Sequence, residues 1–182
     1  MCRIFIPIYY IRFVWRQLGF AFFGALTLVG ALFIFERMTN MIVTFCGHSQ
    51  YIAKQEDKEK LLTFLEKTVG DAPAEFFLGG YGAFDTFAFH CCKEYQKAHP
   101  SVKLVFVSPY LNAEKKLYDA VLYPPLEQVP LKFAISHRNR WMVENADLVV
   151  ACIDHTWGGA YQTYLHAHRK KKPIFQLGNQ KI

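Results

Sequence analysis

Two glycine-rich turns, Gly79-Gly80-Tyr81-Gly82 and Trp157-Gly158-Gly159-Ala160, each stand between an apolar run and an amphipathic segment. Glycine admits positive φ and lets backbone N–H groups come close to a ligand. A helix beginning at such a turn adds the positive end of its dipole, and the combination suits a phosphate. Neither turn fits the dinucleotide GxGxxG pattern or the Walker A pattern, since no Lys-Ser/Thr follows. Asp154, just ahead of the second turn, could accept ribose hydroxyls or serve as a general base. Asp85, just past Gly82, is suited to cap a helix, with ligand or catalytic duty as the alternative. Gly47 and His48 end the first apolar run and offer a further backbone approach and a phosphate-bonding ring, as does His155. Arg138 and Arg140 stand at i and i+2, so they do not share a helix face. On a helix one would point to a cleft and the other to solvent, and the planar guanidinium fork suits phosphate. Trp141 and Met142 beside them read as core.

These residues need a scaffold, and the hydrophobic pattern supplies one. Met41–Cys46 is a short β-branched and aromatic run, read as a buried strand. Leu61, Leu65 and Val69 recur at helical spacing within an amphipathic helix over 56–69, which Gly70 ends. A strand over 75–78 leads into the first glycine turn, a helix over 86–98 follows, and 102–107 is a third strand. Residues 109–133, with Pro124-Pro125 and Pro130, read as an irregular loop over one end of the sheet. A helix over 137–145, a buried strand over 147–153, a helix over 161–170 and a last strand over 173–177 complete the chain. Strands alternating with helices imply a parallel sheet covered on both faces. In such sheets ligands bind beyond the carboxyl ends of strands, near the point where strand order reverses.

Composition narrows the function classes. Of 182 residues 52% are hydrophobic and 20% charged, enough for one domain with a substantial core. The net charge is +6, but half of that surplus lies in residues 1–40, where Arg3, Arg12, Arg16 and Arg37 face only Glu36. The remainder does not call for nucleic acid as a partner. The one basic run, His168-Arg169-Lys170-Lys171-Lys172, suits a solvated helix C-terminus. Five cysteines fit no disulfide framework and form no CxxC pair, so no metal signature is read and no cofactor is expected. Cys46 and Cys152 lie in apolar runs and read as buried thiols of a reducing, cytoplasmic compartment.

Residues 1–40 stand apart. Leu18–Phe35 carries no charge and has the length of a membrane-spanning helix, with arginines ahead of it. Such a helix would export a domain whose thiols and candidate nucleotide site belong in the cytosol. The favoured expectation is that translation starts at Met41, because Glu36-Arg37-Met38 can be encoded by GAA AGG ATG, a purine-rich ribosome-binding sequence. A membrane anchor over 18–35 is the alternative, and a membrane is a partner only in that case.

The order “TFCGHS”, “GGYGAFD”, “SHRNRWMVENADLVVA” and “GGA” before the last helix resembles the SLOG superfamily, and within it the YpsA-like branch. That superfamily also holds the LONELY GUY phosphoribohydrolases and the DNA-processing protein A family. The resemblance spans essentially all of 41–182. It implies a Rossmann-like three-layer α/β sandwich with a mostly parallel sheet, a nucleotide-derived small-molecule ligand, and frequent self-association. It carries phosphate binding to Gly79, Gly80, Gly82, Gly158 and Gly159, and to one of Arg138 and Arg140. The phosphoribohydrolases place a catalytic glutamate in a Pro-Gly-Gly-x-Gly-Thr-x-x-Glu motif, whereas the stretch here is Trp157-Gly158-Gly159-Ala160-Tyr161-Gln162-Thr163-Tyr164-Leu165. The expected function is therefore binding or sensing of a nucleotide-derived phosphate ligand. N-glycosidic hydrolysis, with Asp154 or Asp85 in place of the glutamate, is the first alternative and single-stranded DNA binding the second.

Overall fold

β1 (Met41–Gly47) occupies the middle of a six-stranded sheet in which every neighbouring pair runs parallel. The computed structural model describes residues 40–111 and 117–178. The apolar stretch Leu18–Phe35 lies outside them. Among the described residues no helix is long and apolar enough to cross a membrane.

The elements follow as α1 (Gln55–Thr68), β2 (Ala74–Leu78), α2 (Ala83–Ala98), β3 (Val102–Val107), β4 (Ala120–Leu122), a 3₁₀ turn (Leu131–Phe133), α3 (Ala134–Asn145), β5 (Leu148–Cys152), α4 (Gly158–Arg169) and β6 (Ile174–Gln176). The strand order is β4-β3-β2-β1-β5-β6. The chain thus builds outward from β1 to one edge, then returns to β1's other side with β5 and continues to β6. The fold is α/β and Rossmann-like, with its reversal point between β1 and β5.

The continuous apolar runs of β1 and β5 follow from burial on both faces. Val43 and Phe45 pack with Leu61 and Leu65 of α1 and with Phe84 and Phe87 of α2. Cys46 turns the other way and joins Val149 and Ala151 of β5 under Val143 of α3 and Ala167 of α4. Phe76 and Phe77 of β2 are both fully buried, each worth about 1.5–3 kcal/mol relative to exposure. Gly70 ends α1 as expected, with φ +54 and its N–H on the Leu65 carbonyl.

Three helix starts differ from the sequence reading. Helices α2 and α4 start at Ala83 and Gly158 rather than at residues 86 and 161, because the glycine turns themselves form the helix starts. Residues 109–133 are not wholly irregular: Ala120–Leu122 pairs with Val105–Val107 as the sheet's edge, and a 3₁₀ turn leads α3 in at Ala134. A three-residue, largely exposed edge strand leaves almost no periodic signal.

The basic run closes α4 and is partly tied down. Lys170 Nζ lies 3.0 Å from Glu144 Oε1, and Lys172 Nζ donates to the carbonyls of Glu144 and Ala146 at 2.9 and 2.7 Å. These bonds satisfy carbonyls at the end of α3. Cys46, Cys91, Cys92 and Cys152 are free and buried.

Candidate ligand-binding cleft

Because β1 and β5 hand the chain on in opposite directions, their carboxyl ends leave a crevice. Gly47 pairs with Cys152 across the two strands, so His48 and the Asp154-His155 pair emerge side by side. A cleft of about 290 Å³ opens there. Its walls are Gly47, His48 and Ser49 after β1, Gly79 and Tyr81 after β2, Asp85 of α2, Arg138, Asn139 and Met142 of α3, and His155, Trp157, Gly158 and Gly159 at the start of α4.

The two glycine turns therefore border one cleft, but they differ in what they leave free. At the first turn the protein consumes its own donors. The Tyr81 N–H donates to Asp85 Oδ2 at 2.8 Å, and the Ala83 N–H donates to the Ser49 carbonyl at 3.0 Å. Gly80 and Gly82 do not line the cleft. A Cβ on Gly80 (φ +70) would lie 2.7 Å from the Phe106 ring, and one on Gly82 (φ +94) 2.9 Å from Ser49 Cα. Both positions are fixed by conformation and close packing. Gly47 likewise makes room for the Phe84 ring, and Gly79 for the Arg138 guanidinium and the Asp85 carboxylate.

The second turn is open. Trp157 is the extended N-cap of α4 and makes no side-chain capping bond. Among the described residues no protein acceptor meets the N–H groups of Gly158, Gly159 or Ala160. Nothing lies within 4 Å of where a Gly159 Cβ would stand. Thr163 Oγ1 holds the Gly159 carbonyl at 2.8 Å and receives Asn139 Nδ2 at 3.4 Å, tying α4 to α3.

Arg138 and Arg140 separate as i, i+2 spacing requires. Arg138 is 1% exposed and lies under the cleft, while Arg140 is exposed and outside it. Arg138 Nη1 reaches Met142 Sδ at 3.5 Å, and its guanidinium sits 5.3 Å from the centre of the Tyr81 ring. Its Nε has no hydrogen-bond partner, which is uncommon for a buried donor. Burial weighs against the guanidinium charge and Asp85 supports it. Burial also pushes the Asp85 carboxyl up to about 6, against the opposing pull of the Tyr81 N–H and Arg138.

Asp154 does not line the cleft; it stands at its rim with a side chain 72% exposed. His48 Nε2 lies 3.1 Å from Asp154 Oδ1, close enough for an ion pair but not aligned for a hydrogen bond. Burial and the neighbouring His155 hold His48 below the ordinary histidine value, while Asp154 and a backbone hydrogen bond to His155 act the other way. The His48 and His155 rings stack at 3.4 Å, and His155 stacks on Trp157 at 3.9 Å.

Sequence reasoning did not single out Tyr81, Asn139 or Trp157 for this cleft. Tyr81 and Trp157 carry the only signal available, since both sit inside or against the glycine turns. Met142 is 3% exposed and forms part of the floor, and Trp141 packs on Phe77 at 5.9 Å.

No family model and no curated protein sequence matches this chain. Solved structures do resemble it. DNA processing protein A from Streptococcus pneumoniae superposes with a TM-score of 0.57 at 23% identity, over 79% of this chain and 52% of that one, so the chain spans about half its length. DNA processing protein A from Helicobacter pylori, described for its single-stranded DNA binding mode, gives 0.54 at 18% identity over 79% and 67%. The molybdenum cofactor binding protein of Rippkaea orientalis gives 0.52 at 18% identity over 76% and 77%. Likeness at these identities speaks to the fold alone, and the fold shared with these neighbours is Rossmann-like.

Proposed function

We propose that residues 41–182 form one cytoplasmic domain of the YpsA-like kind that binds or senses a nucleotide-derived phosphate ligand in the cleft between β1 and β5. One observation carries this reading: the amino end of α4 opens on the cleft with three backbone donors unclaimed and empty space at Gly159. Helix starts of this kind hold phosphate through N–H groups and dipole together. Arg138 adds a fixed positive charge beneath the floor. Trp157, 67% exposed at the rim, offers a face on which a base can stack. The cleft's size favours a mononucleotide-scale group over an extended chain. The small-molecule reading agrees with the neighbour described as a molybdenum cofactor binding protein.

The test is a thermal-shift screen of the full chain against nucleoside monophosphates, ADP-ribose species, cyclic dinucleotides and the molybdenum cofactor. A ligand at 100 times its Kd adds about 2.7 kcal/mol. Gly159→Asp places a carboxylate in the empty space, where the helix dipole tolerates it but a phosphate does not. The variant should keep the unliganded midpoint and lose the ligand shift. No shift with any ligand, or an equal shift in the variant, sinks the proposal.

One observation favours N-glycosidic hydrolysis as a second reading: Asp85 borders the cleft with its carboxyl raised to about 6, in the range of a working acid or base. Release of free base from a nucleoside monophosphate, abolished by Asp85→Asn, would establish it. Single-stranded DNA binding has less support, because Lys170 and Lys172 of the basic run are engaged with α3.

A further inference from the structure

The rim of the cleft gathers three metal-ligating side chains from two strand ends. His48 follows β1, and Asp154 and His155 follow β5. Donor atoms from the three residues all lie within 4.8 Å of one another. His48 Nε2 is 3.1 Å and His155 Nε2 3.6 Å from the same carboxylate oxygen, Asp154 Oδ1. His48 is 7% exposed, and its Nε2 has no hydrogen-bond partner although it is buried. A buried imidazole nitrogen 3.1 Å from a carboxylate oxygen, yet without a hydrogen bond to it or to any other group, has the placement of a cation ligand.

We propose that His48, His155 and Asp154 form a divalent transition-metal site of the zinc class. Two imidazoles and one carboxylate are the ligand chemistry of Zn²⁺, Co²⁺ and Ni²⁺; Mg²⁺ and Ca²⁺ prefer oxygen sets. Three protein ligands leave a fourth position open, here beside the cleft. The ligands converge from the β1–β5 pairing, with Gly47 opposite Cys152 fixing the two strand ends at equal height. His48 is held by burial, and Asp154 is free to move. His155 is the adaptable ligand. Its ring now lies face to face with His48, tilted by 29°, and both lone pairs meet one ion only after it turns. Its side chain is 31% exposed, which leaves room for that turn. The opposite face of His155 rests on Trp157, so the same rotation lifts the imidazole from the indole. The site stands apart from the identity of the cleft's ligand, since the ion is held by side chains alone.

The experiment uses the full chain, stripped with a chelator, and titrates Zn²⁺ by calorimetry and Co²⁺ by its visible absorption. The expected result is one ion per chain at the rim and a change in tryptophan fluorescence on loading that Trp157→Phe removes. Asp154→Asn and His155→Ala alter exposed or half-exposed groups and leave the fold intact. Each should weaken Zn²⁺ by at least the roughly 10–100-fold that even an outer-sphere partner typically contributes. His90→Ala, on the exposed face of α2, should change nothing. His48→Ala is read together with its thermal midpoint, since His48 is buried. Absence of stoichiometric Zn²⁺ binding overturns the proposal. So does binding that Asp154→Asn and His155→Ala leave unchanged, or equal affinity for Mg²⁺. Failure of every nucleotide to bind would leave the site standing, and failure of Zn²⁺ would leave the phosphate cleft standing.

Discussion

Gly82→Ala separates the two duties that a glycine turn can have. Residue 82 has φ +94, and an added Cβ would meet Ser49 Cα at 2.9 Å. The colliding atom is backbone, which no rotamer change can move. The neighbouring Ala83 N–H to Ser49 carbonyl bond, 3.0 Å long, fixes the same contact. With ψ 168 the Gly82 backbone is in a conformation confined essentially to glycine, costing an L-residue about 1–3 kcal/mol, and overpacking adds about 1–3 kcal/mol. The sum is roughly 2–6 kcal/mol, or at about 2–4 °C per kcal/mol a drop in Tm on the order of 5–25 °C. Gly159→Ala is the counterpart: its Cβ would meet nothing within 4 Å, so stability should stay within about 0.5 kcal/mol. The assay is differential scanning fluorimetry of both variants, with and without the best ligand from the screen. Gly82→Ala should lose midpoint while keeping the ligand-induced increment below its own melting range. A Gly82→Ala protein as stable as its parent but blind to ligand would refute the reasoning and make Gly82 a ligand-contacting residue.

Three further outcomes follow from the same geometry. The folded Asp85 carboxyl sits at about 6 against an ordinary 3.8, so the folded state holds its proton more tightly than the unfolded chain. The group's contribution is present at low pH and is lost as pH rises from about 4 through 6. Asp85→Asn should gain stability relative to wild type across that window and hold a constant lead above it; a difference in Tm that stays flat from pH 4 to 7 would contradict this. Burial raises the thiols of Cys46 and Cys152 to about 12 and Cys91 to about 11, so an aromatic disulfide reagent at mildly alkaline pH should label none of them until the protein unfolds. Rapid labelling of any of the three in the native state would count against the packing described. Lys172→Ala removes two bonds to carbonyls at the end of α3 and should cost about 1 kcal/mol in chemical denaturation.

The parts legible in the sequence are those where one local pattern decides. The runs at Met41–Cys46 and around Val149 are apolar at every position but Thr44, whose hydroxyl bonds the Phe77 carbonyl, because both faces of a central parallel strand are covered, and that reading requires no partner to be known. Leu61 and Leu65 mark α1 in the same way. Strand β4 escaped because Ala120–Leu122 is an exposed edge whose pairing with β3 lies in the fold. The glycine turns were legible as turns, but the division of labour among their residues was not. Whether Gly80 faces a ligand or a side chain is settled by Phe106, and Gly82 by Ser49, each far along the chain. Arg138 and Arg140 could be told apart only as two faces of a helix. Which face met the cleft depended on where α3 lands. His48, Asp154 and His155 come together solely through the pairing of β1 with β5.

That pairing also sets an order of events during synthesis. The Ile42 N–H of β1 bonds to Asp147, 105 residues further along the chain, and Val43 lies beside Leu148. As the polypeptide leaves the ribosome, β1 to β4 can assemble as a half-sheet while one flank of the central strand stays unpaired. For that interval the nascent chain presents a hydrophobic, hydrogen-bonding edge made of Met41–Gly47, the kind of template on which chains associate wrongly. The Rossmann-like order therefore leaves the first strand of the described sheet open on one flank until β5 arrives. At roughly 5–20 residues per second the wait lasts about 5–20 seconds, long enough for a chaperone to occupy the flank before β5 arrives.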